Sequence, residues 1–293
     1  MERARLWFLA TMVLTAAAGA ADAAVVVVTE SETPAPPPGA AKPASAAKPQ
    51  YRGSMYVEGD RVRIEGTSAT KEGDMEAIVL FQPQPEAFVY LDASDKSYTE
   101  MTRDDVKKVG AAIDTARKQM QAQLAKMPPE QRKVVEQAMA GMGTEALLKE
   151  PAPKKAPEPA KAVANGTTDK VADRACKGYD VTRGGKKIAE ACVASWADLG
   201  MSAKDVDGLR KMTTFQQQVL SEVSFEGLQA APGAEAFEVI DQINGFPVRI
   251  KTGIGGKRPM SMRVVKIERK DVDAKLFQVP PGWTKKEFAA EEE

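Results

Sequence analysis

The chain of 293 residues carries 41 Lys and Arg side chains against 41 Asp and Glu, and it contains 0 histidines. A balanced charge gives no basis for nucleic-acid binding, so nucleic acid is not expected among the partners. The absence of histidine removes the commonest general base and metal ligand, which excludes Ser-His-Asp and Cys-His catalysis and most zinc sites. We therefore expect a protein that is not an enzyme and that holds neither a metal nor a cofactor.

The first residues follow the order of a secretory signal peptide. Arg3 and Arg5 precede an apolar run over residues 6–18, and small residues come next. Cleavage after Ala23 fits this pattern best, and cleavage after Ala20 is the second choice. The alternative is an uncleaved membrane anchor, although a membrane span needs about 20 apolar residues. We expect a mature chain over residues 24–293 that is periplasmic or secreted.

Two stretches rich in Ala, Pro and Lys divide the mature chain. They cover residues 34–49 and 150–170. Such compositions cannot build a core, and Pro-rich spacers tend to be extended. Both stretches are predicted to be exposed insertions or linkers within a single domain.

The segments between these stretches change from strand to helix periodicity. Residues 24–29 resemble a strand, and residues 61–65 alternate between apolar and polar side chains. Residues 77–81 and 88–91 are apolar on both faces of a strand, so they need cover on both sides.

A helical insert is predicted over residues 102–143. Thr102 is a candidate N-cap, and a first helix follows with apolar residues at spacings of three and four. Pro128 and Pro129 end this helix and start a second one. The two helices form a hairpin between strands.

The two cysteines predict a disulfide. Cys176 and Cys192 are symmetric about Gly184, so a three-residue hairpin loop of Arg183, Gly184 and Gly185 places them directly opposite each other. Facing residues on antiparallel strands lie close enough for a disulfide. Closing a loop of about 15 residues contributes roughly 3 kcal/mol in the chain-entropy model. An oxidising compartment permits this bond, in agreement with the predicted export.

The last third of the chain begins with a helix and returns to strands. Ser202 caps a third helix that runs to about Val223 with an apolar stripe. Residues 246–254 alternate as a strand, and Gly255-Gly256 turns into another strand over residues 260–268. With eight to ten strands and helices grouped in two places, the expected fold class is α+β with a large antiparallel sheet.

Four segments of the sequence resemble a known family. They are GDRVRIE at 59–65, YLD at 90–92 with KSYTE at 96–100, GFPV at 245–248, and FQVPPGW at 277–283. The sequence resembles the secreted domain-of-unknown-function family numbered 4412, which is itself similar to the half-barrel lipoprotein carriers of the bacterial periplasm. The resemblance covers most of the chain from Tyr51 onward, apart from the linkers. It implies a curved antiparallel sheet, a half barrel, wrapped around helices with an apolar cavity between them.

The resemblance implies a binding protein whose cavity takes an acyl chain or the lipid of a lipoprotein. The candidate cavity residues are Ile64, Ile78, Leu80, Phe88, Tyr90, Phe246, Val248 and Ile250. The candidate lid residues lie on the first predicted helix and are Val109, Ile113 and Met120. The alternative is a structural or signalling protein of the envelope, with a filled core and a protein partner. An enzyme would have to use carboxylates such as Asp92 or Glu100, for which no catalytic partner is visible.

Overall fold

The computed structural model describes residues 23–32, 50–70, 73–141, 158–222, 237–253 and 260–288. The strands of these residues form one large, curved, open sheet. It has 12 strands, more than the eight to ten that the sequence predicts. The strands are β1 Ala24–Ser31, β2 Tyr51–Glu58, β3 Arg61–Thr70, β4 Gly73–Pro83, β5 Glu86–Asp92, β6 Ser97–Thr102, β7 Lys161–Val171, β8 Arg174–Arg183, β9 Lys186–Ala194, β10 Phe246–Thr252, β11 Met260–Lys270 and β12 Thr284–Lys286. The helices are α1 Arg103–Lys126, α2 Pro129–Gly141, α3 Trp196–Leu199 and α4 Asp207–Glu222, with 3-10 turns at Ala203–Val206 and Ala274–Phe277.

The sheet consists of two meanders joined side by side. Its strand order is β12-β6-β5-β4-β3-β2-β1-β11-β10-β9-β8-β7, so β1 to β6 and β7 to β11 each lie in chain order. All neighbouring strands are antiparallel except β12, which runs parallel to β6. The two meanders meet where β1 pairs with β11, with Val27 opposite Ile267.

β1 is a central, buried strand. Its side chains Val25, Val26 and Val27 are at most 4% exposed, although they point alternately to the two faces of the sheet. β-branched valines suit a strand that is covered on both sides. The predicted leader and the predicted linker at 34–49, which flank β1, lie outside the described residues.

The predicted third helix is confirmed as α4 with the 3-10 turn before it. The Asp205 carboxylate accepts hydrogen bonds from the Ser202 N–H (2.6 Å) and hydroxyl (2.9 Å), which fixes the start of this segment. The predicted apolar stripe is buried against the sheet, each side chain being at most 9% exposed: Val206, Leu209, Met212, Phe215 and Val219. We call the face of the sheet that packs on α4 the helix side.

The predicted helical insert is present as α1 and α2. The Asp105 carboxylate accepts from the Thr102 hydroxyl at 2.6 Å, and the Thr102 hydroxyl accepts from the Asp105 N–H at 3.2 Å, which forms a capping box at the start of α1. The Arg132 side chain of α2 donates a hydrogen bond to the Leu124 carbonyl at the end of α1, at a distance of 3.0 Å. None of the described helices is long and apolar enough to cross a membrane.

The C-terminal segment covers the opposite side of the sheet from α4. The buried Arg63 side chain donates to the Leu276 carbonyl at 2.9 Å, and the Arg61 guanidinium lies 5.0 Å from the centre of the Phe277 ring. On this side, a small cluster of Leu80, Val89 and Leu91 packs against residues of the C-terminal segment. β4 and β5 are therefore covered on both sides, as their two-sided apolar sequences predict.

The hairpin of β8 and β9 turns through two residues and not three. Arg183 pairs with Lys186, so that the loop consists of Gly184 and Gly185. Both glycines have a positive φ, +57° and +76°, as the central residues of a type I′ turn require. The predicted three-residue loop is therefore wrong.

The predicted disulfide is confirmed, but its cysteines do not face each other. The register shifts by one residue between Val181 and Thr182, so Cys192 lies opposite Gly178. The Cys176–Cys192 bond thus joins diagonal positions, with the Cα atoms 5.4 Å apart. The disulfide indicates an oxidising compartment outside the cytoplasm.

The predicted linker at 150–170 is wrong for its second half. Lys161–Val171 is β7, which pairs with β8 at the edge of the sheet. Most of its side chains are exposed, which explains why its polar sequence looks like a linker. Residues 150–157 lie outside the described residues.

Candidate functional site

A cavity of about 160 Å³ lies between the helix side of the sheet and α4. Both meanders contribute to its walls, together with α4 and Phe237. The lining residues are Val27, Thr29, Tyr51, Gly53, Ser54, Met55, Ile64, Met212, Thr213, Gln216, Phe237, Phe246, Pro247, Val248, Arg249, Ile250, Met262, Arg263 and Val264.

The deep wall of the cavity is apolar. Val27, Phe246 and Val248 are each 1% exposed, and Val264 is 3% exposed. An engineered apolar cavity of about 150 Å³ binds benzene. The space therefore suits an apolar group of about one ring in size.

The Tyr51 side chain forms part of the wall above a pair of glycines. Gly53 and Gly66 face each other on β2 and β3. A Cβ built on Gly53 would lie 2.3 Å from the Tyr51 hydroxyl oxygen, and one built on Gly66 would lie 2.7 Å from the ring atom Cε2. The tyrosine ring thus occupies the space that two missing side chains leave open. Burial raises the pKa of the Tyr51 hydroxyl, so it stays a neutral hydrogen-bond donor.

Two arginines line the cavity near its polar rim, and each is paired with carboxylates. Arg249 donates to Glu32 at 3.1 Å and also bonds Asp169. Arg263 donates to one oxygen of Glu30 through two nitrogens, at 3.2 and 2.7 Å. The positive charges at the rim are therefore already compensated.

Asp169 is held in its ionised form. The backbone N–H of Lys170 donates to its carboxylate at 2.7 Å, and the Arg249 guanidinium adds a further hydrogen bond and an opposite charge. These contacts hold the pKa of Asp169 below its usual value. The ion pair with Arg249 is thus intact at neutral pH.

A close contact with the β2–β3 turn fixes α4 over the cavity. The Gly208 N–H donates to the Gly59 carbonyl at 3.1 Å, and a Cβ on Gly208 would lie 3.1 Å from the same oxygen. Lys211 pairs with Asp60 at 3.1 Å beside this contact. The first turns of α4 therefore have little freedom to move away from the sheet, and the next turn supplies Met212, Thr213 and Gln216 to the cavity.

Four of the eight predicted cavity residues line this cavity. They are Ile64 from β3 and Phe246, Val248 and Ile250 from β10. The structure brings them together because β1, β2 and β11 lie between these two strands and complete the wall.

The other four predicted residues do not line it. Ile78 and Leu80 lie on the opposite side of the sheet, in or against the cluster that the C-terminal segment covers. Phe88 is on the helix side, but its ring packs 5.9 Å from Phe81 and 5.3 Å from Phe215, centre to centre, and fills the space there. Tyr90 is 41% exposed beyond this aromatic cluster.

The predicted lid residues do not contact the cavity. Val109, Ile113 and Met120 are half-buried on α1, which packs on α4 and β6. Val109 instead lines a polar crevice with Glu100 and Lys285. Among the described residues, the helix that covers the cavity is α4.

Sequence reasoning missed most of the wall from β2 and β11. The helix-side residues of β2 are Tyr51, Gly53, Met55 and Val57, and those of β11 include Met262 and Val264. Apolar residues recur at every second position at Met55 and Val57 in β2 and at Met260, Met262 and Val264 in β11, so this period could have identified these parts of the wall.

The cavity offers packing and hydrogen bonds but few reactive groups. The disulfide occupies both cysteines, so no free thiol is present. In the part of the chain that the structure describes, no cluster of His, Cys, Asp or Glu could hold a metal ion.

Comparison with protein families finds a match to part of the chain. The model of the family described as "Domain of unknown function (DUF4412)" matches residues 150–283, just under half of the chain. We call residues 150–283 the DUF4412 region, because they are similar to this family. The DUF4412 region contains β7 to β11, α3 and α4, and with them the GFPV and FQVPPGW segments. No curated protein matches the chain.

The cavity extends beyond the DUF4412 region. α4, β10 and β11 lie inside the matched residues, whereas β1, β2 and β3 lie outside them. The matched region thus carries 12 of the 19 residues that line the cavity.

Proposed function

We propose that this protein binds an apolar ligand in the cavity between α4 and the sheet and has no catalytic activity. The observation that carries the proposal is a space of about 160 Å³ whose deep wall consists of almost fully buried apolar side chains. Natural interiors are close-packed, and an unfilled space of this size forfeits packing energy. A ligand that fills the space recovers that energy.

Burial of the ligand supplies the binding energy. A ligand of the size of benzene has about six methylene-sized groups. Each group contributes roughly 0.8 kcal/mol when it leaves water, so together they contribute about 5 kcal/mol. Association costs reduce this gain. The end of an acyl chain is one such group, and the rest of the chain would then extend through the opening.

The proposed setting is the bacterial periplasm or the exterior. The Cys176–Cys192 disulfide and the leader-like residues at the N-terminus support export, with removal of the leader after Ala23. The curved sheet around α4 supports a half-barrel arrangement like that of the lipoprotein carriers. A lipoprotein lipid is the ligand that this resemblance favours.

A second candidate is an envelope protein that acts through a protein partner. The aromatic cluster of Phe81, Phe88 and Phe215 fills the helix side next to the cavity with the protein's own side chains. This filled region favours a structural role for that part of the sheet.

Native mass spectrometry of the protein purified without detergent from its own compartment tests the proposal. We expect a bound apolar species, and we expect Val264→Phe to lose it, because Val264 is 3% exposed and lines the cavity. The matched control is Val163→Phe, since Val163 is 53% exposed on β7 and lies outside the cavity. Overpacking costs about 1–3 kcal/mol, so circular dichroism must show that both variants are folded.

If Val264→Phe does not fold, Ile64→Phe takes its place. Ile64 is a half-buried wall residue, and Phe adds less volume there than at valine. A ligand-free wild-type protein that also fails to take up a fluorescent fatty-acid probe would overturn the proposal and favour the second candidate. Retention of the bound species by the folded cavity variants would place the ligand elsewhere and would also overturn it.

A further inference from the structure

The rim of the cavity does not favour an anionic ligand. Among the described residues, Arg249 and Arg263 are the positive charges that line it, and Glu30, Glu32 and Asp169 are paired with them. The net charge of these five side chains is negative by one unit. A carboxylate or phosphate head group would have to displace one of these ion pairs, and the displaced carboxylate would repel it.

The cavity does offer one neutral donor. Tyr51 lines it, and the recess above Gly53 and Gly66 fixes the position of the phenol ring. The ring fits the recess only because Gly53 and Gly66 both lack a Cβ. The backbone of two strands therefore holds the Tyr51 hydroxyl in place. A fixed donor at an apolar cavity distinguishes ligands that carry a hydrogen-bond acceptor from those that do not.

We propose that the ligand is an uncharged molecule, or an uncharged end of one, of about one ring in size, and that Tyr51 selects it by donating a hydrogen bond to its acceptor atom. This inference rests on the proposed function, because it assigns the ligand class of the same cavity. The size follows from the volume of about 160 Å³. The neutral charge follows from the paired arginines.

Three single-ring probes and one acyl chain test the inference on the full mature chain. They are methyl benzoate, which is neutral with an acceptor; toluene, which lacks an acceptor; benzoate, which is anionic; and decanoate, an anionic acyl chain. Binding is measured by titration calorimetry and by chemical-shift changes in the amide spectrum. We expect methyl benzoate to bind at least about 10-fold more tightly than benzoate, and more tightly than toluene.

Substitution of Tyr51 separates hydrogen bonding from packing. Tyr51→Phe is expected to weaken methyl benzoate about 5- to 10-fold, the effect of one hydrogen bond, and to leave toluene unchanged. Tyr90→Phe is the matched control, because Tyr90 does not line the cavity. Gly66→Ala is expected to displace the ring and to weaken methyl benzoate as well, since its Cβ would lie 2.7 Å from the ring.

The outcomes distinguish this inference from the proposed function. If benzoate or decanoate binds as tightly as methyl benzoate, the inference is wrong while the cavity remains a binding site. If Tyr51→Phe affects methyl benzoate and toluene equally, Tyr51 only packs and does not select. If no probe binds and native mass spectrometry also finds no ligand, the proposed function itself fails.

Discussion

Gly245 is a residue whose identity is fixed by a backbone contact. It precedes β10, and a Cβ built on it would lie 2.0 Å from the Ala194 carbonyl oxygen and 2.9 Å from the Val193 side chain. Phe246 follows it and lines the cavity, so this contact also sets the position of a wall residue. β9 therefore leaves no room for a side chain at position 245.

Gly245→Ala is expected to lower the free energy of unfolding by about 3 kcal/mol, because the backbone of β9 must shift to admit the methyl group. Urea unfolding followed by circular dichroism measures this change. Gly59→Ala is the control, since nothing lies within 4 Å of its Cβ and only its φ of +58° opposes the substitution. That control should cost about 1 kcal/mol. Equal costs for the two variants would contradict the role of the contact.

The disulfide is the second feature that depends on single residues. Replacing both Cys176 and Cys192 by Ser is expected to cost about 3 kcal/mol, because the unfolded chain loses the constraint of a loop with a sequence separation of 16. Unfolding of the variant and of the wild type, with and without reductant, measures the difference. The wild type should lose a similar amount in reductant, and the variant should not respond. Two free thiols in the exported protein would show that the bond does not form.

At the scale of elements, α1 depends on its capping box. The Asp105 carboxylate accepts hydrogen bonds from the Thr102 hydroxyl and, at 3.1 Å, from the Thr102 N–H. The hydrogen bond from the Thr102 side chain is the main cause that lowers the pKa of Asp105 below its usual value. Ionised Asp105 thus stabilises the folded state relative to the unfolded chain.

Asp105→Ala is expected to cost about 1 kcal/mol at neutral pH, as for other caps. Since the folded pKa lies below the unfolded value of about 3.9, this contribution is present above about pH 4 and is lost as the pH falls through the folded pKa. Urea unfolding of both proteins between about pH 7 and about pH 2 checks the sign. A difference between wild type and variant that grows on acidification would refute this account.

The elements also show which parts of the fold the sequence can predict. α4 and its buried stripe follow from apolar spacing, because a helix of 16 residues repeats its pattern over several turns. The disulfide follows from two cysteines in a short hairpin. β7 could not be predicted, since an exposed edge strand needs no apolar face and its composition is that of a linker.

Two of the predicted cavity residues, Ile78 and Leu80, were assigned to the wrong face of the sheet for a related reason. Both belong to β4, which is apolar on both sides, so the sequence carries no two-residue period to assign their faces. The face is decided by pairing with β3, where Ile78 lies opposite the polar Glu65 and Val79 opposite Ile64. Pairing register is a tertiary property, which a reading of each strand alone does not supply.

At the scale of the whole molecule, the two meanders share one core. The main cluster of buried side chains includes Val57 and Phe81 from the first meander and Phe246 and Val264 from the second, with Phe215 of α4 between them. The β1–β11 pairing also joins the meanders by backbone hydrogen bonds. The DUF4412 region therefore depends on the first meander for part of its core and for 7 of the 19 residues that line the cavity.

This shared core predicts that the mature protein unfolds as one unit. Trp196 packs on the main cluster, and Trp283 packs on the opposite side of the sheet with the Leu80 cluster. The mature chain lacks Trp7, so replacing either of these tryptophans by Phe leaves the other as a single fluorescent probe. Both probes should report the same urea midpoint, because loss of the sheet removes the support of both clusters.

Phe215→Ala extends this test to the connection between the meanders. The large-to-small change in the aromatic cluster is expected to cost about 3–5 kcal/mol, and it should shift both tryptophan transitions equally. The physical reason is that Phe215 packs on Phe81 and Phe88, so its loss weakens the first meander through a helix that belongs to the DUF4412 region. Separate midpoints, with only the Trp196 transition shifted, would show that the two sides of the sheet unfold independently. The cavity, whose walls come from both meanders, can exist only if they fold together.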